Sequence, residues 1–227
     1  QDGCNQFCSY CIIPYVRGRV RSRSMEDIYS EIEVLVSKGI KEVVLTGIHI
    51  SSYGIDFSDK ISLVDLIECI SSIEQLKRIR IGSLEPRIVT EEFVKIISGN
   101  PKVCPHFHLS LQSGCNETLL RMNRKYTIEE YKNSCDILRR FYHKPAITTD
   151  IIVGFPGETQ EEFATTLKWL QVLNLYEMHV FKYSVRKGTK AENMPNQVSE
   201  MIKNERSSVL LELAENNKRA YESEFVG

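Results

Sequence analysis

The tightest constraint on this chain lies in its first eleven residues. Cys4, Cys8 and Cys11 stand in a C-x-x-x-C-x-x-C array, with the aromatic Tyr10 directly before the last cysteine. Thiolates this close in sequence wrap one metal centre without long-range folding. Soft sulfur ligands select zinc, copper(I) or an iron–sulfur cluster. The count of three decides among these. Structural zinc sites are closed by four ligands, usually from two C-x-x-C units or from one with two histidines, and no second pair of that spacing follows. Electron-carrier ferredoxins hold every iron with a fourth cysteine. A 4Fe–4S cluster on three cysteines leaves one iron open, so that reading leads. Its competitor is a zinc site closed by one of the five histidines, which would make the chain a non-catalytic, zinc-stabilised RNA-binding module. An incidental group of buried cysteines is the bland alternative.

Composition narrows the setting. At 227 residues the chain can bury one full core. Its 42% hydrophobic and 26% charged residues are those of an ordinary globular protein. A net charge of −1 gives no global nucleic-acid signature, so any RNA contact comes from a local patch. No run of eighteen apolar residues occurs, and no membrane span or signal peptide is expected. Seven cysteines in such a chain fit a reducing compartment, with the cytoplasm as default.

Along the chain, strand and helix signals alternate. Ser24 reads as an N-cap before Ile28, Ile32, Leu35 and Val36 at helical spacing, with Gly39 as the stop. Residues 41–45 read as a strand, Ser51 to Lys60 as a surface excursion, and Ser62 to Ile73 as a helix. Arg78 to Ile81 reads as a strand ending in Gly82, and Thr90 caps a helix closed near Gly99. His106 to Leu111 reads as a strand. Thr127 with Glu130 forms a capping box for a helix through Arg140, and Thr159 with Glu162 forms another. Ala146 to Val153 and Tyr176 to Tyr183 are strands, and Ser199 to Glu224 is a long charged helix. This rhythm predicts an α/β fold of parallel strands with helical crossovers, and at this length an incomplete (β/α)6 TIM-like barrel. Its functional loops would follow the strands.

With these motifs in view, the chain resembles the radical S-adenosylmethionine (SAM) enzymes. The wider string Cys11-Ile12-Ile13-Pro14-Tyr15-Val16-Arg17-Gly18 is similar to the methylthiotransferases among them. So are His106-x-His108-x-x-x-Gln112-Ser113-Gly114, Leu120 to Thr127 and Thr149 to Thr159. The resemblance implies a 4Fe–4S cluster on Cys4, Cys8 and Cys11, whose open iron binds SAM. One electron then splits the sulfonium, and the 5′-deoxyadenosyl radical prepares a C–H bond for a methylthio group. It also implies a soluble electron donor such as flavodoxin or ferredoxin.

The same resemblance assigns SAM contacts to Tyr10, Thr46, Gly47, Ser83, Glu85, Gln112, Asp150, Ile152, Gly154 and Phe181. At several of these a plainer reading stands beside it. Gly47 also suits an ordinary tight turn, and Glu85 a solvated carboxylate beyond a strand ended by Pro86. His106 and His108 share one strand face and read as an inward pair in preference to metal ligands. Asp150, amid apolar and hydroxyl residues, requires a partner. Arg17, Arg19, Arg21 and Arg23 would line up on one side if extended, as a phosphate track, a contact to the SAM carboxylate or a solvated basic loop. Arg121 and Arg124, with Lys125, divide in the same way. Cys69 and Cys135 read as packing residues.

Thr46 to Gly54, the Ile-Ile-Pro-Tyr-Val-Arg-Gly-Arg run and Ser83-Leu84-Glu85-Pro86 most resemble the branch that modifies C2 of N6-threonylcarbamoyladenosine beside the tRNA anticodon. The isopentenyladenosine branch and the one acting on a ribosomal-protein aspartate are alternatives. The partner expected is a tRNA anticodon stem-loop. Residues 1–198 would form the partial barrel, cut at or inside its first strand, and residues 199–227 a helix and linker toward an absent TRAM domain. The family's N-terminal domain, with its second 4Fe–4S cluster, is also absent. Alone, this chain is expected to cleave SAM without delivering sulfur.

Overall fold

Capping residues set where the helices begin. The computed structural model describes residues 1–226; Gly227, the end of the expected linker, lies outside the described residues. A short helical turn, α1 (Ile13–Val16), precedes α2 (Met25–Ser37), whose first turn is closed by Ser24 accepting from the Asp27 amide. Strand β1 (Glu42–Leu45) leads to α3 (Leu63–Ser71), opened by a Ser62–Asp65 capping box. Strand β2 (Arg78–Leu84) is followed by α4 (Glu91–Ser98), capped by Thr90. Then come β3 (Val103–Leu109), α5 (Asn116–Arg121) and α6 (Ile128–Phe141). The last elements are β4 (Ala146–Val153), α7 (Gln160–Leu173), β5 (Glu177–Lys182) and α8 (Glu200–Ser223). The capping boxes at Thr127–Glu130 and Thr159–Glu162 both form. Strand β1 pairs with β2, and β4 with β5, each in parallel. No helix among the described residues is long and apolar enough to cross a membrane.

Four expectations need correction. Strand β2 does not stop at Ile81 but continues through Gly82 and Ser83, because Leu84 is buried and extends the apolar side of the strand. Strand β3 starts at Val103 and ends at Leu109; beyond that break Gln112, with a left-handed φ of 75°, pairs again as an isolated parallel bridge to Ile151. The stretch after Ser51 is not wholly a surface excursion. Ile50 and Tyr53 are buried, and the Tyr53 hydroxyl donates to the Arg23 carbonyl at 2.9 Å. Helix α5 was not expected, being too short to show a period.

Two compact units divide the chain. The first comprises Gln1–Asn5, Ile13–His108 and Asp136–Pro145. In it β1 and β2 pair in parallel, Val43 opposite Ile79 and Leu45 opposite Ile81. Leu63, Leu66, Ile67 and Ile70 of α3 and Val94 and Ile97 of α4 recur at helical spacing and are almost fully buried, as are Ile79 and Leu84. Each such side chain contributes about 1.5–3 kcal/mol on burial.

The second unit comprises Gln6–Ile12, Leu109–Cys135 and the chain from Ala146 onward. Here β4 and β5 pair in parallel, Asp150 opposite His179 and Ile152 opposite Phe181. Met122, Phe155, Tyr183 and Ala191 form a core cluster, with Tyr10, Ile152 and Met194 packed against it. Helix α8 buries Leu210 and Ala214, but also Lys203 and Arg206. Charged residues there are affordable only with partners.

Candidate functional site

None of the seven cysteines is in a disulfide. Cys135 and Cys115 are buried, consistent with packing, whereas Cys69 is only half-buried. The array carrying Cys4, Cys8 and Cys11 is held differently at its two ends.

In the first unit, residues Gln1 to Asn5 are held largely through main-chain groups. Asp2 and Arg21 exchange backbone hydrogen bonds of 2.9 and 2.8 Å, and the Cys4 amide donates to the Gly18 carbonyl at 3.1 Å. The Gln1 carbonyl accepts from the Ile48 amide at 3.2 Å, and its side-chain oxygen from the His49 amide at 2.7 Å. These bonds fix the Thr46-Gly47 turn against the start of the chain. The Ser51 hydroxyl accepts from the Glu85 amide at 2.9 Å. Glu85 is buried, not solvated: Arg87 reaches its two carboxylate oxygens at 2.7 and 3.1 Å, and His49 Nε2 lies 3.8 Å away. Ser83 is exposed.

The basic segment is not an extended track. Arg17 closes a helical turn onto Ile13, and the chain reverses at Gly18. Arg17 and Arg21 both face the Asp2 carboxylate, at 3.7 and 3.0 Å, and Arg23 pairs with Glu31. Asp2 is held below the usual carboxylate range by the Gly3 amide, reinforced by these guanidiniums. A groove of about 440 Å³ opens beside β1, lined by Ile28, Ile32 and Leu35 of α2 with Val44 and Leu45. Thr46 and Arg23 are the residues singled out above that line it. Gln1, Glu31 and Glu42 add polar groups to its walls.

In the second unit, Gln6 to Ile12 are gripped by main-chain carbonyls at the end of α5 and by side chains of the turn after it. Asn123 Nδ2 donates to the Phe7 carbonyl at 2.7 Å, the Ser9 hydroxyl to the Arg121 carbonyl at 2.8 Å, and the Ser9 amide to the Met122 carbonyl at 3.0 Å. The Cys11 amide donates to the Cys8 carbonyl at 3.0 Å, turning the loop between the two cysteines. Arg124 Nη1 donates to the Cys8 sulfur at 3.2 Å. Phe7 has a φ of 51°, a conformation that costs free energy in a bulky residue and persists only where its surroundings enforce it. Ser9 and Asn123 were missed as site residues. Asn123 lies within the Leu120 to Thr127 match and Ser9 within the cysteine array, but neither residue type signals a ligand on its own.

Gln112 is buried at the mouth of the same unit. Its amide donates to the Asp150 carbonyl at 2.8 Å, and its carbonyl accepts from the Ile152 amide at 2.9 Å. These bonds bring Gln112, Asp150 and Ile152 to one sheet end. The turn from Gly154 to Glu158 follows. Gly154 has a φ of 70°, which a side chain rarely adopts, and its amide donates to the Glu158 carboxylate. Arg206 Nη1 reaches the same carboxylate at 2.9 Å and the Glu158 carbonyl at 3.1 Å, both side chains being buried. Phe155 packs edge-on against Tyr10 at 6.2 Å and Tyr183 at 5.3 Å. The Tyr183 hydroxyl is buried with no hydrogen-bond partner, and burial pushes it above the usual phenol range, so it stays a neutral donor.

Arg121 does not face outward for phosphate. Its guanidinium forks onto Glu162, at 2.8 and 2.5 Å, and reaches the Pro156 carbonyl at 3.3 Å. Phe181 is more than half exposed, and Asp150 and Ile152 are half-buried.

Cys4, Cys8 and Cys11 are thiols of one short loop, none of them in a disulfide, and Cys8 receives a guanidinium N–H.

Comparison with known proteins follows this geometry. A family model described as the Radical SAM superfamily matches residues 1–170. The chain is 46% identical over 209 residues to a tRNA-2-methylthio-N(6)-dimethylallyladenosine synthase of Lachnoclostridium phytofermentans, covering 92% of this chain and 46% of that protein. It is 43% identical over 225 residues to the threonylcarbamoyladenosine tRNA methylthiotransferase MtaB of Bacillus subtilis, covering 99% of this chain and 50% of that one. The first of these names recurs among further relatives at 42–47% identity. The chain thus spans about half the length of the curated relatives it matches. Among solved structures, coproporphyrinogen III oxidase (HemN) from Escherichia coli, described as a radical SAM enzyme, matches with a TM-score of 0.66 at 16% identity, over 96% of this chain and 51% of that chain. At that identity the likeness is one of fold, and the α/β architecture of an incomplete barrel is the one expected from the strand rhythm.

Proposed function

The chain belongs to the radical SAM superfamily, and on that premise we propose that it is the catalytic core of a tRNA methylthiotransferase. The observation that carries the reading is the C-x-x-x-C-x-x-C loop in a chain 42–47% identical to tRNA-methylthiolating relatives along nearly its whole length. Cys4, Cys8 and Cys11 would hold a 4Fe–4S cluster. When bound, that group supplies one-electron reduction of the SAM sulfonium at its open iron.

The chain's own residues would hold and orient the cosubstrate. Tyr10, packed edge-on against the buried Phe155, would contact the cosubstrate. Gln112 and Asp150, joined through the sheet end, offer polar groups for ribose or methionine. The Gly154–Glu158 turn, clamped by Arg206, keeps its backbone close enough to pack against a ring. Thr46-Gly47 and Glu85 have their local geometry set by Gln1, Ser51 and Arg87, and would serve the methionine end. Partners follow from the same reading: an anticodon stem-loop and a soluble one-electron donor.

For the substrate base, N6-isopentenyl (dimethylallyl) adenosine takes precedence over the N6-threonylcarbamoyl adenosine that the motifs first suggested. The dimethylallyl name recurs at equal or higher identity among the relatives. The threonylcarbamoyl reading rests on the Bacillus subtilis relative, 43% identical over 99% of the chain, a coverage that dimethylallyl relatives share.

Two assays test this. Anaerobic reconstitution of the chain should give about four irons and form 5′-deoxyadenosine from SAM with dithionite; alanine at Cys4, Cys8 or Cys11 should abolish both. A folded chain that takes up only zinc overturns the reading. The whole protein carrying this chain is then given stem-loops bearing either modified adenosine. Mass spectrometry should find the methylthio group on the dimethylallyl substrate; its appearance only on the other reverses the substrate order.

A further inference from the structure

The Arg124 guanidinium donates to a cysteine of the array. We propose that Arg124 is a positioning residue for the metal centre, whose hydrogen bond to the Cys8 sulfur raises the reduction potential of the cluster held there. The inference rests on the proposed reading of Cys4, Cys8 and Cys11 as cluster ligands.

Four observations within one unit support it. Arg124 Nη1 lies 3.2 Å from Cys8 Sγ, within the range of an N–H···S bond. The same guanidinium donates through Nε to the Tyr126 hydroxyl at 2.8 Å, and its carbon sits 4.9 Å from the centre of the Tyr126 ring. Tyr126 is buried, and its hydroxyl is anchored on the Ser110 and Leu111 carbonyls. The neighbouring Asn123, at a left-handed φ of 60°, grips the Phe7 carbonyl, so consecutive residues of one turn hold the loop and its sulfur together. A solvated arginine at a helix end would have none of these restraints, and a phosphate ligand would present its fork outward.

The chemical consequence follows from charge. One electron passes from an external reductant to the oxidised centre; no bond is made or broken, and the ligand sulfurs become more negative. A hydrogen bond to a ligand sulfur favours the reduced form, as does a fixed positive charge beside it. Lysine keeps the charge but not the fork, and cannot bond Cys8 and Tyr126 in the same geometry.

The test is a mediator-poised EPR titration of the reconstituted 227-residue chain without SAM, with dithionite as reductant. Wild type is compared with Arg124→Lys, Arg124→Gln and Arg124→Met, each with its iron counted. At unchanged iron content, Arg124→Met should make reduction at least tenfold less favourable, a drop of about 59 mV for one electron. Arg124→Lys and Arg124→Gln should fall between. An unchanged midpoint in Arg124→Met overturns the inference, as does an effect seen only in SAM affinity, which would make Arg124 a cosubstrate ligand. If the variants shed iron, pulsed EPR on wild type labelled with 15N-arginine decides. A guanidinium nitrogen coupled to the reduced cluster supports the proposal, and absence of that coupling overturns it. A wild type that holds no cluster instead sinks the functional reading itself.

Discussion

The two units stabilise their polar groups by different means. In the first, the start of the chain is held by main-chain bonds between Asp2 and Arg21 and between Cys4 and Gly18, with exposed ion pairs laid over them. In the second, main-chain bonds on the loop from Gln6 to Ile12 and the Gly154–Glu158 turn are joined by side-chain bonds, among them a buried charged pair, Glu158 and Arg206. A main-chain bond survives most substitutions, whereas a buried side-chain partner does not. The second unit should therefore be far the more sensitive to single changes of polar residues.

The largest expected effect tests that contrast directly. Arg206 and Glu158 form a buried pair, and removing one partner strands the other's charge. Arg206→Met should cost about 3–5 kcal/mol in denaturant unfolding. The Glu158→Gln/Arg206→Met double variant, which retains an acceptor for the Gly154 amide, should recover most of it. If the double variant is no better than the single, the pair is not the stabilising feature claimed.

This pair also shows what sequence can and cannot reveal. The Thr127 and Thr159 caps were legible because their partners stand three residues away, and strand β4 because its apolar run is bounded by turn residues. Glu158 and Arg206 are 48 positions apart, and Ser9 meets the Arg121 carbonyl across 112. No local period encodes such pairings. The three cysteines could be read because their spacing alone carries the chemistry. Arg121 and Arg124, read as facing phosphate, the SAM carboxylate or solvent, stayed open for the same reason in reverse: a guanidinium's partner is set by folding, and here Arg121 meets Glu162 and Arg124 meets Cys8.

Two glycines carry the comparison to the backbone. A methyl group on Gly54, in the first unit, would lie 1.7 Å from the Ile61 carbonyl oxygen; on Gly154, in the second, it would meet the Lys203 side chain at 2.3 Å. Both have positive φ, so each alanine bears backbone strain of about 1–3 kcal/mol. The Lys203 stem can swing aside, and the Ile61 main chain cannot without moving its neighbours. Gly54→Ala should therefore lower the unfolding midpoint more than Gly154→Ala. The reverse order would mean that Lys203 is fixed as firmly as backbone.

A smaller effect appears only in alkali. Burial pushes the Tyr53 phenol up to about 12, while in the unfolded chain it titrates near 10. Because the folded value is raised, the folded chain retains its proton longer; the contribution is fully present below pH 10 and is lost as pH rises through 12. Tyr53→Phe should flatten this alkaline slope. At neutral pH it should cost only the hydroxyl bond to the Arg23 carbonyl, about 1 kcal/mol. An unchanged slope would assign the alkaline loss to another group.

The smallest expected effect is the most informative about the first unit. Arg21 faces the Asp2 carboxylate at 3.0 Å, but both side chains are well exposed, where screening leaves an ion pair little net value. The two backbone bonds between the same residues do not depend on either side chain. Arg21→Gln should therefore leave the unfolding midpoint indistinguishable from wild type at physiological salt, and the Asp2 bridge should persist in amide hydrogen exchange. If Arg21→Gln instead lowers the midpoint as much as Arg206→Met, the start of the chain depends on side-chain charge after all. The contrast between main-chain and side-chain control of the cysteine loop would then fail, because both ends would be held by the same kind of interaction.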